Sequence, residues 1–328
     1  MTSNNLPLFG GIDLGGTKIL SLVVSRTGSV LAEDIRPTLA ADGQQAVIAR
    51  MVASLRECLA KVAVDGRQLA AIGVSAPGPV DDARGVVTSP PNLPGWHDVP
   101  LASLIEAQFN VRCTLDNDAN AAAFAEHRWG AGRGSRQMLF LTVSSGVGGG
   151  IIIDGALYRG ASGAAGEMGH MTIRENGRRC PCGRRGCLEA YTSGLAIAKE
   201  GRRLAARDPG ALHAHRTVAE PLSAAIIHEM ATAGDETARR LIADAGRHLG
   251  TGLASLINIF DPELIALGGS LTKMGDLYLG PARATAEREC LAQARRDVRI
   301  VVGELGDRAP ALGVAAIALE TVTQTPTA

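Results

Sequence analysis

The chain of 328 residues is 46% hydrophobic and only 3% aromatic, which predicts about two domains with cores of aliphatic side chains. It carries 33 basic and 33 acidic residues, and this zero net charge gives no reason to expect binding to nucleic acid or to an anionic membrane surface. Its six cysteines are few for a secreted framework, the N-terminal residues lack the pattern of a signal peptide, and no apolar run approaches the roughly 18 residues of a membrane span, so we expect a cytoplasmic protein.

Residues 8–24, LFGGIDLGGTKILSLVV, predict a strand, a tight turn at Gly15 and Gly16, and a second strand. The turn is neither a Walker loop nor a dinucleotide fingerprint, because those motifs run from a strand into a helix. The two glycines would let the backbone approach a phosphate closely, and the next two residues add a hydroxyl and an ammonium group. Asp13 at the strand end could hold a hydrated magnesium ion, and the alternative is an ordinary glycine hairpin.

Residues 42–63 predict a helix, because their apolar side chains recur at helical spacing. The strand LAAIGVSAPGPV (69–80) follows and ends in a proline-glycine turn. Residues 88–96, TSPPNLPGW, form a loop interrupted by prolines. Asn92 in this loop could hydrogen-bond a polyol, or the loop could be a simple connection.

The strand predicted for residues 111–115 runs into Asp116, Asn117 and Asp118 and then into a helix through Glu126. Polar residues at a helix start are usually caps, which would explain one or two of the three. The carboxyl end of a strand is also where α/β folds place ligands, and a helix N-terminus keeps a carboxylate ionised. Asp118 is therefore a candidate proton acceptor.

Residues 138–153, MLFLTVSSGVGGGIII, repeat the pattern of strand, small-residue turn and strand. Two such hairpins, one opening each half of the chain, predict a duplicated α/β unit. Together they could grip one polyphosphate through backbone N–H groups and hydroxyls such as those of Thr142, Ser144 and Ser145.

Three of the six cysteines, Cys180, Cys182 and Cys187, fall within eight residues, and His170 lies ten residues upstream of the first. Three thiolates and one imidazole make a closed four-ligand zinc site, which is structural rather than hydrolytic. Glu167 and Glu189 flank this segment, and we expect the metal to aim them into a pocket. The alternatives are three incidental thiols or a disulfide between two of them.

The rest of the chain is predicted to be mainly helical. Ser193 caps a helix at 194–206, and a long helix at about 236–259 ends before Asp261. A buried strand at 264–271 contains a glycine pair that would suit either a flat base or a plain turn, and the chain closes with a strand at 298–305 and a helix at 311–320.

These segments together resemble the sugar kinases of the repressor–open reading frame–kinase (ROK) family over roughly residues 9–320. The motifs that carry the resemblance are DLGGTK (13–18), APGPVD (76–81), PNLPGW (91–96), LDNDANAAAFAE (115–126), SSGVGGG (144–150), GAAGEMGH (163–170), CPCGRRGCLE (180–189) and ALGGSL (266–271). Family members often have threonine at the position of Ser145, where serine keeps the hydroxyl.

The resemblance implies an α/β protein with the two-domain actin-like ATPase or hexokinase (ribonuclease H-like) fold, a duplicated core and a structural zinc loop. We expect a small domain at 1–117, against which the C-terminal helix at about 307–323 packs. We expect a large domain at 118–306 with the zinc loop at 167–189. Hinge closure on sugar binding would exclude water from the reaction.

The resemblance also implies roles for individual residues. Asp118 would be the catalytic base. The residues implied to bind the sugar are Gly78, Asn92, Asn117, Asp118, Glu167, His170 and Glu189. Those implied to bind ATP with Mg²⁺ are Asp13, Gly15, Gly16, Thr17, Lys18, Ser145, Gly146, Gly268 and Gly269. Structural Zn²⁺ would be held by His170, Cys180, Cys182 and Cys187, with the other nitrogen of His170 facing the sugar.

The function expected from this resemblance is ATP-dependent phosphorylation of a hexose at its 6-hydroxyl, with glucose as the first candidate. Kinases of N-acetylglucosamine, N-acetylmannosamine or fructose are alternatives, and polyphosphate is an alternative donor. A sugar-responsive repressor is disfavoured because only about eight residues precede the first hairpin, and a non-catalytic sugar binder because Asp118 is present. The family also implies a homodimer or tetramer.

Overall fold

The structure is a computed structural model that describes residues 7–90, 92–207, 221–295 and 297–323, so Pro91 of the predicted loop lies outside the described residues. The chain divides into two compact units. Unit 1 comprises Met1–Ser135, Gly150–Ala165 and Glu304–Ala328, and unit 2 comprises Arg136–Gly149 and Gly166–Gly303. Within the described ranges, none of the helices combines the length and the apolar character needed to cross a membrane.

The strands of the described residues form two five-stranded sheets and one two-stranded sheet. Their bounds are β1 (Leu8–Leu14), β2 (Lys18–Ser25), β3 (Val30–Pro37), β4 (Leu69–Ala76), β5 (Val80–Asp81), β6 (Val86–Val87), β7 (Cys113–Asn117), β8 (Met138–Val143), β9 (Val147–Ile153), β10 (Ala156–Leu157), β11 (Leu264–Gly268) and β12 (Arg299–Val302). The helices are α1 (Gln44–Lys61), α2 (Leu101–Phe109), α3 (Asp118–Trp129), α4 (Glu189–Thr192), α5 (Gly194–Arg207), α6 (Ala224–Thr232), α7 (Glu236–Phe260), α8 (Asp276–Glu289), α9 (Ala292–Arg295) and α10 (Ala309–Thr323).

The first sheet brings three polar side chains into register at one edge. Its strand order is β3-β2-β1-β4-β7, with β1 and β2 forming the predicted antiparallel hairpin and β1, β4 and β7 running parallel. Asp13 on β1 lies opposite Ser75 on β4, and Ser75 lies opposite Asp116 on β7. The carboxyl ends of parallel strands share one edge of a sheet, so these residues come together although they are far apart in the sequence.

The second sheet repeats this topology. Its order is β10-β9-β8-β11-β12, and β8, β11 and β12 run parallel. Gly268 at the end of β11 lies opposite Thr142 at the end of β8, next to the second hairpin turn. In each sheet an antiparallel hairpin lies on one side and parallel strands continue from it. This shared arrangement confirms the predicted duplication of the α/β core.

The core of unit 1 depends on close approach of α10 to the sheet and to α3. A Cβ atom on Gly11 of β1 would lie 2.1 Å from the carbonyl oxygen of Ala311, and one on Gly73 of β4 would lie 2.0 Å from that of Val314. A Cβ atom on Gly313 would lie 1.7 Å from the carbonyl oxygen of Ala121 in α3. Only glycine lets the backbones pack at these distances, and α10 is buried along most of its length.

A buried carboxylate joins α3 to the chain that leads into α10. Glu126 is 1% exposed, and its two carboxylate oxygens accept backbone N–H groups from Ala131, Glu304 and Leu305 at 2.8–3.0 Å. Three donors in low-dielectric surroundings stabilise the charge that burial would otherwise disfavour. Sequence reasoning saw Glu126 only as part of a helix-forming run, because its partners lie up to 179 residues away.

Unit 2 is built around the pair α7 and α8. Gly246 and Gly250 of α7 face α8, where added Cβ atoms would lie 2.2 Å from the carbonyl oxygen of Tyr278 and 2.4 Å from that of Ala282. The buried hydroxyl of Tyr278 donates a 2.9 Å hydrogen bond to the carbonyl oxygen of Thr192 at the end of α4. Helix α8, packed on the long helix predicted at about 236–259, thus anchors the segment that follows the cysteine cluster.

The units do not coincide with the predicted boundaries of 1–117 and 118–306. Helix α3 and residues 150–165 lie in unit 1, because α3 packs both on α10 and against Gly150 at the start of that segment. The C-terminal helix α10 also lies in unit 1. The secondary structure predicted for both hairpins, the long helix and the terminal helix is confirmed, whereas α2, α6 and α8 were not individually predicted.

Candidate functional site

The junction of β7 and α3 combines capping with an array of polar side chains. Asn117 is the N-cap, and its Oδ1 accepts N–H groups from Ala119 and Asn120 at 2.9 and 3.2 Å. Asp118 is the first residue of the helix and accepts the N–H of Ala119 at 2.8 Å. Capping therefore accounts for the side-chain oxygen of Asn117 but not for its amide nitrogen. A Cβ atom added to Gly78 would lie 3.1 Å from that nitrogen. Gly78 and Asn117, both predicted to bind the sugar, are thus neighbours within unit 1.

The first glycine hairpin is held rigidly in unit 1. The N–H of Gly15 donates to the carbonyl oxygen of Lys18 at 2.9 Å, and the buried Thr38 hydroxyl donates to the carbonyl oxygen of Gly15 at 2.7 Å. A Cβ atom on Gly16 would lie 3.1 Å from that of Asn92, so the predicted phosphate hairpin and the predicted polyol residue are in contact. The turn needs glycine here because another chain segment packs directly on it.

Asp13 lies buried at the end of β1 with 7% exposure. The Ser75 hydroxyl donates a 2.8 Å hydrogen bond to its Oδ1. Burial, together with the negative charge of Asp118, raises the pKa of Asp13 to about 7. Paired carboxylates of this kind suit a divalent cation, which would favour the ionised form of both.

The ammonium group of Lys18 pairs with Asp307, a residue that sequence reasoning did not select. Lys18 Nζ lies 2.9 Å from Asp307 Oδ2, and both side chains are substantially exposed. The partners are 289 residues apart, and no local pattern marks Asp307. An exposed ion pair contributes little free energy, so Lys18 can exchange Asp307 for a phosphate at small cost.

The predicted zinc ligands come together in unit 2. One donor atom from each of His170, Cys180, Cys182 and Cys187 lies within 4.8 Å of every other, and all six cysteines of the chain are free thiols. The Sγ atoms of Cys182 and Cys187 are 3.7 Å apart, as are Cys180 Sγ and His170 Nδ1. Ligands of a tetrahedral zinc ion, with Zn–S of about 2.3 Å, lie roughly 3.8 Å from one another. The cluster therefore fits zinc, and the alternative of a disulfide is wrong.

The two ring nitrogens of His170 face different groups. Nδ1 faces the thiols, whereas Nε2 lies 3.8 Å from Glu167 Oε2. Glu189, two residues after the last cysteine, accepts the N–H of Val147 at 2.9 Å through Oε2, and its Oε1 lies 3.7 Å from Cys180 Sγ. The cysteine cluster thus holds Glu167, His170 and Glu189 beside the second hairpin.

The second hairpin borders a cavity of about 560 Å³ within unit 2. Ser144 Oγ lies 3.0 Å from Ser270 Oγ, and a Cβ atom on Gly269 would lie 2.4 Å from the carbonyl oxygen of Val143. Gly146 is equally confined, because a Cβ atom there would lie 2.7 Å from Glu189 Oε2. The described residues that line the cavity include Ser145, Leu195, Leu222, His228, Ser270 and Leu271.

Each unit therefore assembles part of the predicted site. Unit 1 holds Asp13, the first hairpin, Gly78, Asn92, Asn117 and Asp118, and unit 2 holds Glu167, His170, Glu189, the second hairpin and the pair Gly268-Gly269. Sequence reasoning missed Ser75, Asp307 and Ser270. Ser270 follows a glycine pair that had been noted, so adjacency could have indicated it, whereas Ser75 is recognisable only from strand register.

Comparison with known proteins gives one consistent result. The family model described as the ROK family matches residues 9–321. A glucokinase of Thermotoga maritima is 33% identical over 317 residues, which is 95% of this chain and 97% of that protein. A putative xylose repressor of Caldicellulosiruptor is 32% identical, with 97% of this chain and 79% of that protein aligned. The crystal structure of a ROK family glucokinase from Streptomyces griseus, in complex with glucose and AMPPNP, matches with a TM-score of 0.81 and 33% identity, over 95% of this chain and 99% of that one.

Proposed function

The chain belongs to the ROK family, and from this premise we propose that it is an ATP-dependent hexose kinase that phosphorylates glucose at the 6-hydroxyl. The observation that carries the proposal is the pair of carboxylates in unit 1. Asp118 begins α3 directly after the N-cap residue Asn117, and Asp13 lies buried at the foot of a glycine hairpin, in register with Ser75 on the neighbouring strand. A proton acceptor next to a metal and phosphate site is what phosphoryl transfer to an alcohol requires.

In the proposed reaction Asp118 accepts the proton of the sugar 6-hydroxyl as that oxygen attacks the γ-phosphorus of ATP. The Nδ2 group of Asn117 and the backbone at Gly78 would hold a neighbouring hydroxyl, and Asn92 would contact the same ring. These groups lie at the end of a strand, at the start of a helix and in turns held by contacts with other segments, so they are positioned before the substrate arrives. Positioning and charge stabilisation supply most of the rate in this class of reaction.

Mg²⁺ and ATP are the cosubstrates implied by this proposal. Asp13 would hold hydrated Mg²⁺, and the turns at Gly15 to Lys18 and at Ser145-Gly146 would donate N–H and hydroxyl groups to the phosphates. Lys18 would leave Asp307 for a phosphate oxygen. The cavity of about 560 Å³ beside Ser144 and Ser270 is large enough for a nucleoside, and the pair Gly268-Gly269 would face it.

Zinc, when bound by His170, Cys180, Cys182 and Cys187, would supply structural stability and no reactive group. Its effect on the substrate would be indirect. His170 Nε2, Glu167 and Glu189 would be fixed to accept and donate hydrogen bonds with sugar hydroxyls, as groups adjacent to metal sites commonly are.

The choice of glucose rests on the named glucokinases among the similar proteins. One solved structure at 26% identity is of a putative N-acetylmannosamine kinase, so an N-acetylhexosamine remains the competing substrate. The xylose repressors at about 30% identity favour a second candidate function, a sugar-responsive regulator.

A coupled ADP-release assay tests the proposal, with ATP and a panel of hexoses and N-acetylhexosamines. We expect the largest kcat/KM for glucose and product phosphorylated at the 6-position. Larger kcat/KM for an N-acetylhexosamine would change the substrate but keep the kinase. Tight sugar binding in calorimetry with no ADP release from any sugar, with either ATP or polyphosphate supplied, would favour the regulator.

A further inference from the structure

Arg159 connects three segments of unit 1 that sequence reasoning treated separately. It lies two residues beyond β10, in the loop that leads toward the cysteine cluster. Its Nε and Nη2 atoms lie 3.0 and 2.6 Å from Asp116 Oδ2, and its Nε lies 3.2 Å from Asp82 Oδ2. Arg159 is thus clamped between two carboxylates, one at the end of β7 and one just after β5.

Asp116 divides its two oxygens between distinct tasks. Oδ2 faces Arg159, whereas Oδ1 accepts the N–H of Asn117 at 2.7 Å and the side-chain amide of Asn120 at 3.3 Å. The Asp116 side chain is only 2% exposed, so water cannot replace either set of partners. No second cation pairs with Asp116 among the residues that the structure describes.

The hydrogen bonds of Asp116 end on the residues that set the start of α3. Asn117 caps the helix, Asn120 lies in its first turn, and Asp118 directly follows the cap. A shift of Asp116 would therefore move the N-cap and the carboxylate next to it. Displacements of about 1 Å at a reacting group can cost roughly 10²-fold in rate.

We propose that Arg159 is a positioning residue for Asp118, acting through Asp116. It compensates the buried charge of Asp116 and fixes that side chain so that Oδ1 holds the first turn of α3 in place. The inference rests on the proposed function only for its consequence in catalysis, because the mechanical link to the start of α3 is independent of the reaction.

Electrostatics explains why the compensation matters at this place. Burial raises the pKa of Asp116, and the Arg159 guanidinium opposes that rise. Loss of Arg159 would leave a buried carboxylate without a counter-ion. Asp116 would then move toward solvent or take up a proton, and either change weakens its hold on Asn117.

The geometry also requires arginine rather than lysine. Two nitrogens of one planar group converge on Asp116 while one of them also reaches Asp82. A lysine ammonium is a point charge on a flexible stem, so it cannot fix Asp116 and Asp82 in this geometry at the same time. Arg159→Lys should therefore keep the charge and lose the alignment, which separates the two contributions.

The decisive measurement is hydrogen–deuterium exchange of the peptide that covers residues 113–125, in the wild type, Arg159→Met, Arg159→Lys and Arg84→Met. Arg84 is a matched control, because it lies in the same unit, is 72% exposed and pairs only with nearby Asp81 at 3.6 Å. We expect exchange at the start of α3 to rise at least about tenfold in Arg159→Met, less in Arg159→Lys, and not at all in Arg84→Met. Unchanged exchange in Arg159→Met overturns the proposal.

Kinetics provide the second readout. We expect Arg159→Met to lower kcat for glucose about 10- to 100-fold while the KM for ATP changes less than about twofold. Adding Asp116→Asn to Arg159→Met should recover part of that loss, because it removes the uncompensated charge. A purely structural role would lower the unfolding temperature and leave kcat per folded molecule unchanged, and that result also overturns the proposal.

The two proposals fail in different ways. If the wild type phosphorylates no sugar, the proposed function fails, yet the exchange measurement still decides whether Arg159 holds the start of α3. If the wild type is a kinase and Arg159→Met keeps its kcat, the positioning role fails alone.

Discussion

At the scale of single residues, the candidate site depends on carboxylates whose neighbours differ. Asp118 is the first residue of a helix, whereas Asp13 is buried, and burial together with the negative charge of Asp118 raises its pKa. Asp116 is buried against an arginine. Three aspartates within one sheet edge and helix start therefore have three distinct surroundings, which differ in burial and in the nearest charge.

Replacement of Asp118 by asparagine should separate binding from turnover. The amide keeps the size and hydrogen-bonding capacity of the side chain but cannot accept a proton, so kcat should fall about 10²- to 10⁴-fold with little change in glucose binding. Steady-state kinetics and calorimetry measure the two effects. Asp276→Asn, the same change at the first residue of α8, should leave both unchanged, and full activity of Asp118→Asn would remove Asp118 from the mechanism.

Without added magnesium, the free energy of unfolding should depend on pH through the titration of Asp13. Its pKa of about 7 in the folded state exceeds the ordinary value of 3.8, so the folded state binds more protons and stability falls as pH rises through 7. One such group contributes at most about 1.4 kcal/mol per pH unit.

Urea denaturation from pH 5 to pH 8.5 compares the wild type with Asp13→Asn. As the pH rises, the unfolding free energy of the wild type should fall relative to that of Asp13→Asn. In Asp118→Asn the unfolding free energy should also fall as the pH rises, but the midpoint of that fall should lie at a lower pH than in the wild type. The reason is that the negative charge that helps to raise the pKa of Asp13 is gone. Parallel pH profiles for the wild type and Asp13→Asn would contradict the assignment.

At the scale of elements, two devices position the site. The cysteine cluster holds a stretch of chain that has only short helical turns, from Glu167 to Thr192, against the second hairpin. In unit 1, glycines at the contacts of α10 let the helix pack directly on β1, β4 and α3. The first device would use a metal in place of packing, and the second brings backbones too close together for any side chain to fit between them.

Cys182→Ser should lower the zinc content from about one per chain toward zero, since one of four ligands is lost. Cys182 is the exposed ligand, so the change disturbs packing little and isolates the loss of metal. Plasma emission spectrometry measures the metal, and scanning calorimetry should show a lower unfolding temperature. Cys290→Ser, at a buried thiol outside the cluster, should keep its zinc; a native protein free of zinc would refute the site.

Gly313→Ala should be severely destabilising, because its Cβ would lie 1.7 Å from a backbone oxygen that cannot move alone. Overpacking of this kind costs roughly 1–3 kcal/mol or more. Gly280→Ala is the matched control, since its added Cβ in helix α8 finds no atom nearer than 3.8 Å and alanine favours a helix by about 1 kcal/mol. Thermal unfolding should therefore move in opposite directions in the two variants, and equal shifts would contradict the described packing of α10.

At the scale of the whole molecule, the chain contains two five-stranded sheets of the same topology, each with a glycine hairpin, and it divides into two compact units that each hold a share of the predicted site residues. Each unit brings residues to the carboxyl edge of its parallel strands. The duplication explains why a glycine hairpin occurs twice and why the chain needs two clusters of polar residues.

Binding of glucose should stabilise the whole molecule by mass action. At a concentration of about 100 times Kd, a ligand specific for the folded state adds about 2.7 kcal/mol, which a thermal shift assay detects readily. Asp118→Asn should show a similar shift, since it is expected to retain binding. L-Glucose is the control sugar, and an equal shift with it would indicate a non-specific effect.

Local patterns predicted much of this protein. The spacing of His170 and the three cysteines predicted a cluster that the structure brings together, because zinc ligands of this kind are supplied by a short stretch of chain. The glycines at 15–16, at 146 and at 148–150 indicated both hairpins. Ion pairs such as Lys18 with Asp307, and Arg159 with Asp116, were not predicted, since their partners are 289 and 43 residues apart and no periodicity links them.

The amino-acid sequence by itself determined the identity of the elements, the cysteine cluster and the polar run at the start of α3, because hydrophobic period, glycine pairs and ligand spacing act over a few residues. The tertiary structure alone decided that Asp13, Ser75 and Asp116 stand in one row, that α3 belongs with α10, and that Arg159 holds Asp116. Strand register and burial set these relations, and both arise only when distant segments pack together.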